Sequence, residues 1–392
     1  NTLKAIFDYS EGYKRFLDNG KTERETVEYT VEMLEKAGYK EYKLGDKINP
    51  HDKLYFNNRG KALFIVKAGS AEKIKEGVRI LVAHVDSPRL DLKQVPLYEK
   101  SELAFLKTHY YGGVKKYQWV ALPLAIHGVV VKKDGTTVEL NVGDNEDDPV
   151  FFVSDLLIHL AAEQMEKKAA KVIEGEALDL IVGSKPIILT AEEKETEEGK
   201  NKAQNVIKSG VLDILKQTYD FEEDDFLSAE LEIVPAGKAR EAGFDRSMIL
   251  AYGQDDRVCA YTSLKAMLDI KTTDRTACCI LVDKEEIGSV GATGMRSHFF
   301  ENAVAELMNL TGEYSELNVR RCLSRSCMLS SDVSAGFDPS YRSCFELRNA
   351  AWLGAGMVFN KFTGSRGKSG SNDANAEYMA HLRKIMDEKE IT

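Results

Sequence analysis

The apolar run Ala277-Cys278-Cys279-Ile280-Leu281-Val282 is followed, after Asp283, by Lys284-Glu285-Glu286-Ile287-Gly288-Ser289. Six apolar residues without alternation read as a strand buried on both faces, which belongs in a sheet covered by helices on either side. Such a strand ending in two adjacent carboxylates is unusual. Neighbouring side chains cannot both point the same way there. One can ligate a metal ion while the other takes a proton from water, the division of labour that a metal-assisted hydrolase needs. A Glu-Glu pair alone reads equally well as a solvated acidic turn, so its meaning depends on how the other strands end.

Three further runs end in the same kind of chemistry. Val78 to Ala83 leads into His84-Val85-Asp86 and is stopped by Ser87-Pro88. A His-x-Asp at a strand end lets the imidazole bind metal while the carboxylate fixes its tautomer; a satisfied core histidine is the plain alternative. Met248 to Tyr252 leads into Gly253-Gln254-Asp255-Asp256-Arg257 and a helical pattern from Val258 to Ile270. One of the two aspartates can cap that helix, and the other can bridge two ions. Ser326 to Leu329 leads into Ser330-Ser331-Asp332, with a turn aspartate as the alternative. In an open α/β sheet ligands bind beyond the carboxyl ends of the strands, so His84, Asp255, Glu285, Glu286 and Asp332 are expected to converge on one rim. One imidazole and several carboxylates suit zinc, manganese or cobalt. The surplus of carboxylates suggests two ions sharing an aspartate.

The order His-x-Asp, Asp-Asp, Glu-Glu, Asp resembles the co-catalytic metallo-exopeptidases, and in particular the bacterial branch of the aspartyl aminopeptidase family. The matching stretches are Ala83 to Pro88, Tyr111-Gly112-Gly113, Gly253 to Arg257, Glu285 to Ser289, Ser331-Asp332 and Gly364 to Gly370. The resemblance implies that His84, Asp255, Glu286 and Asp332 are metal ligands, with Asp255 the bridge between two divalent ions, zinc first among them. It implies that Glu285 is the general base and Asp86 the orienting partner of His84. Ile158-His159-Leu160 resembles a segment whose histidine reaches a neighbouring subunit's site; a helix-face histidine is the plain reading. The implied activity is release of the N-terminal residue from peptides with a free N-terminus. The implied assembly is a homo-oligomer, up to a dodecamer built from dimers. The family's further histidine ligand, in a Ser-Met-His type segment near the C-terminus, has no counterpart up to Thr392, and the start at Asn1 points to a longer natural chain. Two other functions are compatible with these motifs: a related carboxypeptidase or deacylase, and a non-catalytic assembly protein with an incomplete metal site.

At 392 residues the chain has room for two domains. Residues 1–89 and 243–392 read as a catalytic α/β domain, a mixed central sheet with helices on both faces. Residues 90–242 read as an inserted, mostly-β domain, which the resemblance makes the dimerisation domain. Within the insert we expect strands from Leu122 to Val131 and from Thr137 to Val142, one long helix from about Val150 to Lys171, and a solvated loop over Glu192 to Gln204. A formal net charge of −10 argues against nucleic acid as a partner. No apolar stretch is long enough to span a membrane. Six cysteines without a Cys-x-x-Cys suggest a reducing, cytoplasmic setting. Gly364-Ser365-Arg366-Gly367-Lys368-Ser369 imitates a phosphate-binding loop, but the required first glycine is Phe362. A Gly/Ser loop with two cations is the better reading.

Overall fold

The computed structural model describes residues 2–365 and 369–391. The strands run in chain order as β1 (Lys40–Glu41), β2 (Lys53–Asn58), β3 (Ala62–Lys67), β4 (Arg79–His84), β5 (Arg89–Lys100), β6 (Leu103–Tyr111), β7 (Leu124–Val131), β8 (Thr137–Val142), β9 (Leu180–Gly183), β10 (Ala229–Pro235), β11 (Arg240–Ala242), β12 (Met248–Leu250), β13 (Ala277–Val282), β14 (Cys327–Ser330), β15 (Phe362–Ser365) and β16 (Ser369–Asp373). They fall within two compact units, residues 1–331 and residues 332–392.

The first unit holds two six-stranded sheets. One is mixed, in the order β1-β2-β3-β13-β4-β14, and β13 and β14 both run parallel to β4. Its side chains alternate between two cores, as pleating requires. On one face Ile80, Val82, Cys278 and Ile280 meet Val304, Leu307 and Met308 of the helix Phe299–Leu310. On the other, Ala83, Cys279 and Leu281 meet Phe16, Val27, Leu34 and Leu264, contributed by the helices Thr2–Asp18, Glu23–Lys36 and Gln254–Asp269. The unbroken apolar run of β13 is explained by this covering on both faces: Cys278 and Cys279 are both buried, in opposite cores. This is the mixed sheet flanked by helices that the strand pattern predicts.

The second sheet is antiparallel throughout, in the order β8-β7-β10-β5-β6-β9, and is made entirely by residues 89–235. Its core gathers Leu90, Leu124, Ile126, Leu140 and Ile233 with Ile207 of the helix Val206–Tyr219.

Three expectations are corrected here. The segment 150–171 is not one helix. Phe151 exchanges both backbone hydrogen bonds with Leu124, Phe152 accepts from Ile181 and Val153 from Ala121. Those carbonyls cannot also serve helical i→i−4 bonds. Only a 3-10 turn (Ile158–Leu160) and two single helical turns (Ala162–Met165 and Ala169–Val172) follow. The segment 192–204 is helical, not a loop. Thr190 and Glu193 close a capping box on Ala191–Glu195, and Thr196 caps Glu197–Gln204, which satisfies the otherwise orphaned amides. Finally, Met248–Leu250 lies outside the central sheet, pairing with β11 in a small ladder of its own.

The helix Glu23–Lys36 ties the two sheets together. Its capping box forms as predicted, between Thr22 and Glu25. While Val27 and Leu34 enter the first core, the first turn carries two carboxylates to the second sheet. Glu23 meets the buried Arg89 at 3.4 Å, and Arg89 also holds Glu232 of β10 at 3.1 Å and Asp91 at 2.8 Å. Burial and the neighbouring Glu23 push the Glu232 carboxyl well above its ordinary value. Two residues after Glu23 in the same turn, Glu25 lies 2.8 Å from His127 of β7, which is clamped between it and Asp144 at 3.2 Å.

Burial works against a charge on His127, but the two carboxylates facing it, Asp144 and Glu25, outweigh it and raise its pKa to about 9. A raised folded-state pKa gives a contribution that is complete below the unfolded value, about 6.5, and is lost as pH rises through the folded one. Its size is of order 3 kcal/mol at most. Chemical denaturation at pH 6 and near pH 9.5 is therefore expected to show a loss of stability that His127→Gln removes. Equal pH slopes in parent and variant would count against the clamp.

In the second unit, Phe337 packs against Trp352, tilted, at 4.4 Å and against Phe345, edge-on, at 5.4 Å beside a bridge between Gly336 and Ala351. The β15–β16 hairpin and the helix Ala376–Glu388, capped by Asn375, complete it. Among the described residues no helix is long and apolar enough to cross a membrane.

Candidate active site

Parallel pairing of β4 with β13 sets Val282 opposite His84, so both strands end at the same level. His84 is the last residue of β4, and the Glu285–Ile287 turn follows β13 after Asp283 and Lys284. Asp255 arrives differently. It lies at the irregular start of the helix Gln254–Asp269, whose body packs under β4 and β13, and its peptide bond to Asp256 is cis. The expected convergence on the sheet rim is therefore made by two strand ends and one helix start.

Donor atoms of His84, Asp255 and Glu286 all lie within 4.8 Å of one another. His84 is buried, and its Nδ1 lies 2.9 Å from the carbonyl oxygen of Asp86, which assigns the ring proton to Nδ1. Nε2 then presents its lone pair, 3.2 Å from Asp255 Oδ1. An imidazole lone pair and two carboxylates brought together are all electron donors, a set that fits a divalent cation. Burial, and after it the Asp255 carboxylate, pushes the Glu286 carboxyl up to about 7. A crowded carboxylate of this kind is what a cation would relieve.

Asp86 does more than the sequence suggests. Besides facing His84 Nδ1 at 3.4 Å, it accepts the amide N–H of Glu285 on Oδ1 and that of Glu286 on Oδ2, both at 3.1 Å. Burial opposes its charge, but the bonds from His84, Tyr111 and the Glu286 amide hold the carboxyl below its ordinary value. Asp86 thus holds the histidine through its carbonyl oxygen and anchors the Glu-Glu turn through its side chain. Glu285 stands outside the tight donor group, about half exposed, with Oε2 3.9 Å from His84 Nε2. The adjacent pair sits in a 3-10 turn and not on a strand, with Glu286 in the donor group and Glu285 about half exposed beside it.

Two residues of Tyr111-Gly112-Gly113 explain themselves here. Gly112 has φ +75°, and a Cβ on it would lie 3.2 Å from Glu286 Cβ and 3.4 Å from Glu286 Oε2. Only a glycine lets the end of β6 lie this close to Glu286. Tyr111 donates to Asp86 at 2.7 Å. Asp256, considered in the sequence only as part of a pair, is fully buried and accepts the backbone N–H of His84. Ser87 donates to the Asp255 carbonyl at 2.6 Å, fixing the helix start against the end of β4. A cavity of about 320 Å³ opens beside Asp255, lined by Pro88, Val114, Lys115, Trp119 and Tyr252 among others.

Asp332 opens the second compact unit, two residues after β14, and is exposed. His159 is exposed in the 3-10 turn Ile158–Leu160 and not on a helix face. In the loop from Gly364 to Gly370, Arg366, Gly367 and Lys368 lie outside the described residues.

The sequence model for aminopeptidase I zinc metalloproteases, M18, matches residues 16–391. The chain belongs to the M18 family. A probable M18 family aminopeptidase 1 of Clostridium acetobutylicum is 57% identical over 393 residues, covering 99% of this chain and 82% of that protein. The crystal structure of aminopeptidase I from the same organism superposes with a TM-score of 0.85 at 53% identity, covering 98% of this chain and 82% of that one. An M18 aminopeptidase structure from Thermotoga maritima gives 0.90 at 41% identity, covering 99% and 82%. The chain is thus an M18 aminopeptidase, a zinc-metalloprotease-type peptide hydrolase. Its membership leaves no place for the carboxypeptidase, deacylase or non-catalytic readings.

Proposed function

We propose that this M18 aminopeptidase holds two divalent ions, zinc in the first place, with His84, Asp255 and Glu286 as ligands and Asp255 as the bridge. Asp332 joins them on the strength of its motif alone. The observation that carries the reading is the meeting of an imidazole and two carboxylates within 4.8 Å, at two parallel strand ends and one helix start. Zinc in such a site lowers the pKa of water and polarises a carbonyl. The protein supplies the rest. Glu285, exposed and beside the donors, accepts a proton from the attacking water and returns it to the leaving amine. Asp86 keeps His84 and the Glu285–Glu286 turn in register. The cavity beside Asp255, lined by polar and apolar residues together, receives part of the peptide. Substrates are peptides with a free N-terminus.

The block 90–242, which carries all of the second sheet but its first residue, is read as the dimerisation domain of a homo-oligomeric, cytoplasmic enzyme. Phe152, Leu156, Leu157, Ile158, Leu160 and Met165, in the stretch of chain that carries His159, are all exposed, and exposed apolar residues in such number suit an interaction site. A fungal relative of low identity is described as a dodecamer, which fits assembly from dimers. Within such an assembly we read His159, on its motif, as the group that completes a neighbour's site.

Asp255→Ala is the test of the bridge. Bound metal is expected to fall from about two ions per subunit to one or fewer, with loss of aminoacyl-anilide hydrolysis. Elemental analysis showing a single ion in the saturated parent would contradict the two-ion reading.

A further inference from the structure

Tyr111 closes β6, a strand of the second sheet, yet its hydroxyl serves the first. It donates to Asp86 Oδ2 at 2.7 Å, the oxygen that also accepts the Glu286 amide. The residue is buried. Its ring cannot swing away, because the Arg89 guanidinium lies 3.8 Å from its centroid and Lys284 Nζ 5.6 Å from it. Arg89 is in turn fixed by Asp91, Glu232 and Glu23, so ring and guanidinium form one rigid stack. A carboxylate turns easily about its terminal torsion. Two amides at 3.1 Å approach Asp86 from the Glu285–Ile287 turn that it has to hold in place. The tyrosine hydroxyl is a donor to Asp86 that comes from outside that turn.

We propose that Tyr111, braced by Arg89, is a positioning residue of the active site: it fixes the rotation of the Asp86 carboxylate, and through it the Glu285–Glu286 turn that carries the ligand Glu286. The second sheet then contributes to zinc affinity without touching zinc. The bland alternative is a buried hydroxyl that has found the nearest acceptor and matters only to folding.

The test is the zinc dissociation constant of the apo chain, read by competition with a chromogenic chelator. Tyr111→Phe keeps the ring on Arg89 and removes only the hydroxyl. It is expected to weaken zinc binding about 10–100-fold, the usual cost of losing a partner one step behind a ligand. The apo unfolding midpoint should stay near that of the parent, and kcat should fall more than KM changes. If Tyr111 acts through Asp86, the double variant Tyr111→Phe with Asp86→Asn binds zinc no more weakly than Asp86→Asn alone. Zinc affinity within about threefold of the parent overturns the proposal, as does a loss that adds in full to that of Asp86→Asn. An apo form destabilised in proportion to its zinc loss overturns it too, because the hydroxyl then serves folding. The proposal rests on His84 and Glu286 as ligands, so His84→Ala is measured alongside. Zinc lost in His84→Ala but kept in Tyr111→Phe sinks only the role of Tyr111; zinc kept in both sinks the ligand assignment.

Discussion

Glu285→Gln is expected to lower kcat by about 10²–10⁴ while leaving zinc content at the parental level. Glutamine preserves the size of the side chain and the amide anchored on Asp86, but it cannot accept a proton at neutral pH. Glu285 lies beyond the close donor group of His84, Asp255 and Glu286, and its side chain is about half exposed. That is the position of a group that meets water and substrate. Steady-state kinetics on an aminoacyl anilide, with elemental analysis of the same sample, separates the possibilities. Loss of zinc would make Glu285 a ligand, and full activity would remove it from the mechanism.

The second large effect concerns His159. A donor aimed at a developing oxyanion acts most strongly when it is held rigidly in a water-poor site. His159 is exposed among exposed Ile158 and Leu160, a surface suited to burial against a second copy. His159→Ala is expected to reduce kcat by about 10²–10³ with zinc retained. Mixed with Glu285→Gln subunits, it should regain activity, since each variant supplies the group that the other lacks. Absence of rescue after verified subunit exchange would return His159 to a purely structural role.

The strands that build the site were legible because their burial is local. The central residues of β3, β4 and β13 are apolar because those strands are covered on both faces, and the metal-ligating residue types appear at the last residue of β4 and just past β13. The Thr22–Glu25 capping box was legible for a similar reason: its two hydrogen bonds join residues three apart. What escaped the sequence depends on distant partners. The apolar stretch from Val150 mimics a helix, but Leu124, Ile181 and Ala121 take its backbone hydrogen bonds. Met248–Leu250 has the composition of a sheet strand and pairs instead with β11. Asp86 was readable as a partner of His84, two residues away, but not as the anchor of a turn about two hundred positions further on. Tyr111 and Gly112 were visible as a motif whose purpose lies in a contact between sheets, and no local pattern encodes such a contact.

The central claim is that His84, Asp255 and Glu286 hold the catalytic metal. Anomalous diffraction from zinc-loaded crystals, collected on both sides of the zinc absorption edge, tests it most directly. The peak is expected in contact with His84 Nε2 and with carboxylate oxygens of Asp255 and Glu286, and a second peak should share Asp255. Zinc peaks bonded to other side chains, with none at these three in a fully loaded and active crystal, would contradict it.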